Sequence, residues 1–430
     1  MNRQARRRHS AASAGTAKRK GREDGRADVL ARAVRHMQEG RPQRADQLLS
    51  RLLAGEGAGD PSVLHYAGVA RYRCSRFEDA AVLLRQATEA APEYAEAHNS
   101  LGLLLLETGR TAEARGALER AVSLRPDYAN AHTNLGNAMS AAGAWAEAEA
   151  AYLRAIALDA GALQAHYRLA RTRLALGAVA GALEACAAAL ALDPFCQNAL
   201  ATRALAEQIG GDREAGLRLY DFERFVTRVS LAPPPGYSDG AAFNEALARA
   251  VREAPSLVWE PPNRVTRNGA VTQDLLAAPS PPVRDLERAL RAAIDAWRET
   301  LRPEPESPFL ARIPRRYRLT LIASILKEGG RHPPHIHEGA WLSGVCYVAV
   351  PAQVAGDGSD DANDGSDRGG WLEFGRPDHD LPEGSEVRCV SHPPRAGTAL
   401  LFPSYVFHGT LPFEGPGERI GIAFDAYPEP

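Results

Sequence analysis

Five cysteines in 430 residues, none spaced as a close pair, leave no material for a disulfide framework or a zinc ribbon. Cys74, Cys186, Cys196, Cys346 and Cys389 are scattered, as in proteins of a reducing compartment, and the chain reads as cytoplasmic. No apolar run approaches the roughly 20 residues needed to cross a bilayer, and the first residues lack the apolar stretch of a secretion signal. Charge of one sign is also lacking. The formal net charge of -2 gives no global reason to expect nucleic acid. The one biased stretch is residues 1–26, where Arg3, Arg6, Arg7, Arg8, Lys18, Arg19, Lys20 and Arg22 stand among Ala, Ser and Gly with almost nothing to bury. It reads as a disordered, solvated basic tail.

Alanine and glycine are plentiful, and they recur. Gly68, Gly102, Gly136, Ala170 and Ala204 follow one another at 34-residue steps. So do Ala80, Ala114, Ala148 and Ala182, and so do Pro92, Pro126, Ala160 and Pro194. Small residues at two fixed places let paired helices approach closely, and a proline at the end of the unit stops the second helix. Four clear units lie between about residues 61 and 196. A degenerate one precedes them, with Gly40 and Ala45 one residue out of phase, and a capping helix with Ala204 follows. The stretch 27–212 therefore resembles tetratricopeptide repeat proteins, an α-solenoid. That resemblance implies a protein or peptide partner in the groove. His98, His132 and His166 repeat at one helix position and either line that groove or serve repeat packing.

From 213 to 310 the repeat texture fades into a helical connector broken by Pro233-Pro-Pro-Gly236, with helix-like stretches at Ala241–Ala254 and Pro282–Arg302. Between them Trp259–Gln273 is polar and turn-rich, and it reads as an arm crossing the entrance of the next domain, with a plain linker as the alternative.

After Tyr317 the pattern changes to strand alternation, in runs at Tyr317–Lys327, Trp341–Val350, Gly370–Phe374, Glu386–Ser391, Thr398–Phe402 and Arg419–Phe424. Six strands with hardly any helix predict a jelly roll, a double-stranded β-helix, over 311–430. The connection Gly356–Asp367 is acidic but lacks the closing glutamate of a calcium loop, and it reads as a loose linker.

His335 and His337 stand one residue apart just before the Trp341 run, and His408 follows a strand signal far downstream. In an extended chain alternate side chains share a face, so His335 and His337 point together, Ile336 and Glu338 away. Three imidazoles so placed can meet around one metal. His332, His379 and His392 lack such partners and read as loop residues.

The ordered set His335-x-His337, Ser343-Gly344-x-x-Tyr347, Gly370-x-Leu372-x-Phe374, Pro394-x-x-Gly397-Thr, Phe402-Pro403, His408 and Glu418-Arg419 resembles the iron(II)- and 2-oxoglutarate-dependent oxygenases, in their prolyl-hydroxylase-like branch and His-x-His subgroup. The resemblance implies Fe(II), 2-oxoglutarate as co-substrate and O2, allows ascorbate as an accessory, and implies hydroxylation of a C–H bond. It assigns His335, His337 and His408 to the metal and Arg419, eleven residues after His408, to the far carboxylate of 2-oxoglutarate. Tyr317, Ser343 and Tyr347 are candidates for the co-substrate pocket, with core packing as the alternative for each. The wider family has a carboxylate where this chain has His337, so either His337 is the third ligand or Glu338 substitutes. The leading reading is an oxygenase acting on a protein or peptide recruited by the repeats. Its rivals are a catalytically silent adaptor and a small-molecule oxygenase.

Overall fold

A computed structural model describes residues 25–55, 57–261, 266–355 and 368–429. The basic tail up to residue 24, the acidic linker 356–367 and residues 262–265 of the arm lie outside the described residues. By contacts the chain divides into two compact units, Met1–Ala162 and Leu163–Pro430.

The first unit is a run of antiparallel helix pairs: α1 (25–38) with α2 (Pro42–Leu53), α3 (Pro61–Arg73) with α4 (Phe77–Ala90), α5 (Ala95–Glu107) with α6 (Thr111–Leu124), and α7 (Ala129–Ala141) with α8 (Trp145–Leu158). The small residues are there because the partner helix leaves no room. A Cβ on Gly68 would sit 2.7 Å from Leu84 Cγ, one on Gly102 2.5 Å from Leu118 Cγ, and one on Gly136 2.5 Å from Tyr152 Cε1. Each clash partner lies sixteen positions on, at the same place in its unit. Ala80, Ala114 and Ala148 are fully buried between the helices. Where the proline series lapses at Ala160, α8 still ends at Leu158, because Asp159 Oδ1 accepts from Gly161 N at 2.9 Å and turns the chain. The degenerate first unit is a genuine helix pair, with Gly40 at φ +70° and Ala45 and Leu49 in its core. His98 and His132 each turn Nε2 to a proline carbonyl six residues back, Pro92 and Pro126, at 3.1 Å. That is a local packing role.

The second unit opens with three more helices of the same texture, α9 (Leu163–Ala175), α10 (Val179–Leu192) and α11 (Gln197–Gly210). They share one core with the sheet that follows: Leu174, Ala182, Leu200, Ala204 and Leu205 cluster with Tyr220, Phe222, Phe374 and Tyr405. Short helices α12 (Arg213–Leu219) and α13 (Phe222–Phe225) follow, then β1 (Thr227–Ser230), α14 (Gly240–Arg252), β2 (Val258–Trp259), β3 (Arg267–Val271) and α15 (Pro281–Thr300). On α15, Val283, Leu286, Leu290, Ile294 and Trp297 form one apolar stripe, and burying each is worth roughly 1.5–3 kcal/mol.

The remaining strands are β4 (Arg316–His335), β5 (Leu342–Ala349), β6 (Leu372–Phe374), β7 (Val390–His392), β8 (Thr398–Pro403), β9 (His408–Thr410) and β10 (Arg419–Glu429). They form the jelly roll. One sheet runs β1-β8-β5-β10-β4, extended by the β3–β2 hairpin, and the other runs β4-β9-β6-β7, all antiparallel. Strand β4 belongs to both. It turns from one sheet to the other at Gly329-Gly330, where Gly329 has φ +72° and a Cβ on Gly330 would press 2.5 Å from Lys327 O. The arm read from the sequence is in part the β2–β3 hairpin on the β4 edge.

Candidate metal centre

Strand pairing fixes two of the three histidines. His335 ends β4 and His408 begins β9, and the two are directly opposed in the ladder. His337 lies two residues beyond β4, where its backbone N–H donates to Ser404 O at 3.1 Å. One ligand nitrogen from each ring lies within 4.8 Å of the other two. The ring centroids are 4.4 Å apart for His335 and His408, 5.0 Å for His337 and His408, and 5.1 Å for His335 and His337.

The hydrogen bonds at the backs of the rings decide what the fronts can do. His335 Nδ1 is 2.8 Å from Pro333 O, His408 Nδ1 is 3.0 Å from Val406 O, and His337 Nδ1 is 2.7 Å from Asp425 Oδ2. All three partners are acceptors, so each Nδ1 carries its proton and each Nε2 presents a lone pair. His337 Nε2 is buried without a hydrogen-bond partner. Three converging lone pairs with no proton between them repel one another until a cation joins them, so the donor set fits a divalent metal. Burial, reinforced by the neighbouring His337, pushes His335 down to about 4. Burial and the adjacent His335 and His337 hold His408 well below its ordinary value. Both rings thus stay neutral, the form in which an imidazole can bind a metal.

The histidines line a cavity of about 370 Å³ whose walls also include Ile322, Leu372, Phe402 and Arg419. Arg419 is 1% exposed, and its Nε and Nη2 have no hydrogen-bond partner. Buried donors without partners are costly, and a carboxylate ligand would satisfy Nε and Nη2 together. Its Cζ lies 5.1 Å from the centroid of the Tyr347 ring. Tyr347 therefore stands beside Arg419.

Ser343 and Tyr317 are placed differently. The Ser343 hydroxyl donates to Asp425 Oδ1 at 2.6 Å and so supports the site from behind. Tyr317 is remote from the cavity lining: its hydroxyl donates to Asp295 on α15 at 3.1 Å. Parity explains this. On β4 the even positions Ile322 and Ser324 face the cavity, whereas Tyr317, Leu319, Leu321 and Ala323 face the helices. Glu338 points out of the site, its carboxylate accepting from Asn198 of α11 at 2.7 Å.

Two cavity residues escaped the sequence reading. His332 lies in the wall, with Nδ1 3.2 Å from Thr410 Oγ1, and burial with His335 and Arg419 nearby pushes it down to about 3. Asp425 is 5% exposed and bonded through both oxygens. Alternation along β10 carries the signal: Arg419, Ala423, Asp425 and Tyr427 all face the cavity, while Ile420, Ile422 and Phe424 face the core.

Residues 322–425 match the family model described as "Putative 2OG-Fe(II) oxygenase", and residues 65–132, 105–162 and 133–195 match that of the tetratricopeptide repeat. No curated protein matches the chain. Among solved structures, MamA from Desulfovibrio magneticus is similar at 22% identity, over 39% of this chain and 93% of that one, with a TM-score of 0.35. TTC0263, a TPR protein of Thermus thermophilus, is similar at 24% identity, over 42% and 97%, with a TM-score of 0.36. YrrB, described as a TPR protein with an unusual peptide-binding site, is similar at 21% identity, over 40% and 88%, with a TM-score of 0.34. The chain thus carries tetratricopeptide repeats followed by a 2OG-Fe(II) oxygenase domain.

Proposed function

We propose that this chain is an iron(II)- and 2-oxoglutarate-dependent dioxygenase that hydroxylates a side chain of a protein or peptide held by the repeat array, acting in the cytoplasm. His335, His337 and His408 are the metal ligands, and Arg419 with Tyr347 anchors the far carboxylate of 2-oxoglutarate. The observation that carries the reading is the pairing, in one cavity, of three back-bonded imidazoles with a buried guanidinium whose Nε and Nη2 lack partners. Iron(II), 2-oxoglutarate and O2 together supply the oxidising equivalents that turn C–H into C–OH, the keto acid leaving as succinate and carbon dioxide.

The residues supply the rest. Three protein ligands leave other positions on the metal open for the co-substrate and oxygen. Arg419 offers paired, permanently charged donors to a carboxylate and so orients the keto end toward the imidazoles. Ile322, Leu372 and Phe402 give the cavity apolar walls around the imidazoles. Five free cysteines agree with a reducing compartment, and among the described residues no helix is long and apolar enough to cross a membrane.

The test is succinate release on supplying iron(II), 2-oxoglutarate and oxygen, with proteins captured by the His408→Ala chain then exposed to wild type. The expected result is succinate formed by the wild type alone and a captured protein gaining one oxygen in mass. Absence of both leaves an adaptor. Succinate formed with a small molecule, and none with any captured protein, overturns the choice of substrate.

A further inference from the structure

The geometry points to Asp425 as the positioning carboxylate of the metal centre, acting through its hydrogen bond to His337 and supplying the negative charge that a three-imidazole ligand set lacks. This rests on the proposed metal site.

The three ligand histidines are not equivalent. His335 and His408 both donate to a backbone carbonyl two residues back, a neutral acceptor set by the local chain. His337 alone donates to a carboxylate, Asp425 Oδ2 at 2.7 Å, from a different strand 88 positions away. That carboxylate cannot itself become a ligand without rupture, because its other oxygen accepts from Ser343 Oγ at 2.6 Å. The cross-strand register makes the clamp rigid: Asp425 and Ser343 are directly paired between β10 and β5. At 5% exposure the carboxylate is screened little by solvent.

Three neutral imidazoles leave a divalent metal with its full charge, whereas two imidazoles and a carboxylate would cancel half of it. A carboxylate hydrogen-bonded to the Nδ1–H of a ligand makes that imidazole more basic, and it lowers the field at the metal without occupying a coordination position. Glu338, the acid nearest in sequence, is turned away to Asn198. Asp425 therefore does two separable things. It fixes the tautomer of His337, and it supplies charge.

Substitutions separate them. The Asp425→Asn amide oxygen still accepts from Nδ1–H, so orientation survives while charge is lost. In Asp425→Ala both go. Ser343→Ala keeps the carboxylate but frees one oxygen. With full-length protein labelled on histidine nitrogen, long-range nitrogen–proton spectra of the metal-free chain report the tautomer of His337, assigned by its disappearance in His337→Gln. Anaerobic titration with iron(II) alone reports affinity, and circular dichroism checks that each variant is folded. The expected results are an Nδ1–H tautomer in wild type and Asp425→Asn that is lost in Asp425→Ala. The iron(II) dissociation constant should rise about tenfold in Asp425→Asn, further in Asp425→Ala, and less in Ser343→Ala. An Nε2–H tautomer in the wild type, or iron(II) affinities within about twofold across folded variants, would overturn the inference while leaving the metal site standing. A wild-type chain that binds no iron(II) would overturn the metal site, and the inference with it.

Discussion

His335 and His408 face each other as a directly opposed pair across the β4–β9 ladder, with ring centroids 4.4 Å apart. Phe374 of β6 continues the same row, opposite His408 on the other side. Side chains in such a row share one face of the sheet, so the two rings converge because the strands pair. His337 then needs only the two-residue step beyond the strand to join them. The site is thus set by sheet register.

Arg419 and Tyr317, both read from the sequence as co-substrate residues, are separated by their positions. Arg419→Met should weaken 2-oxoglutarate binding by roughly a hundredfold, the worth of a charge-assisted pair of hydrogen bonds, while iron(II) affinity changes little. Tyr317→Phe should leave 2-oxoglutarate affinity unchanged and cost about 1 kcal/mol of stability through its lost bond to Asp295. Calorimetric titration of both variants checks this, and equal loss in the two would refute the placement.

Acid should destabilise the metal-free chain well before its carboxylates titrate. His335 and His332 ionise in the folded state at about 4 and about 3, below the ordinary 6.5. Between those values and 6.5 the unfolded chain binds protons that the folded chain does not, so stability rises with pH in that window and is lost as pH falls through it. The loss should be on the order of 1 kcal/mol per histidine for each pH unit. Urea unfolding of metal-free protein at pH 7 and pH 5 measures it, and a flat profile would speak against burial of the rings.

Ser75 has φ +59° at the helix end where later repeats carry Gly109, Gly143 and Gly177 at φ +74° to +76°. A residue with a Cβ is strained there, and Ser75 is exposed with little packing to lose. Ser75→Gly should therefore raise stability by about 0.5–1 kcal/mol, and Gly109→Ser should lower it by about 1 kcal/mol. Thermal denaturation of the two variants should shift in opposite directions.

The fragment 163–430 should fold, and 213–430 should not. Leu200, Ala204 and Leu205 of α11 belong to the same core as Phe374 and Tyr405. Gln197 of α11 also grips the loop after His337, donating to Ala340 O at 2.9 Å and accepting from Gly339 N at 3.2 Å. Limited proteolysis of the two fragments is the check. Comparable resistance would mean that these helices are dispensable.

The 34-residue step was readable because helix pairs bury a small residue at each turn of the array, and Gly102 against Leu118 is the physical cause of the pattern. The histidines were readable because strand alternation places His335 and His337 together. The association of α9–α11 with the barrel left no mark, since their alanine texture is that of α3–α8 while the surface they bury against is different. Asp425 was hidden for a related reason. An aspartate one residue past the strand signal Arg419–Phe424 becomes informative only when β10 is registered on β5 and Ser343 is seen opposite. His332 looked like a loop residue because the β-bulge that carries β4 onward to His335 interrupts its alternation. Tyr317 lies on the helix-facing side of β4, a parity that shows only once Ile322 and Ser324 are placed in the cavity wall.

The most direct test of the account is an anaerobic titration of the full-length chain with iron(II) and 2-oxoglutarate, following the visible metal-to-ligand charge-transfer band of a chelated keto acid. The account predicts a band that saturates at one iron(II) per chain, is abolished by His408→Ala, and needs far more 2-oxoglutarate in Arg419→Met. No band in the folded wild type, or an undiminished band in His408→Ala, would contradict it.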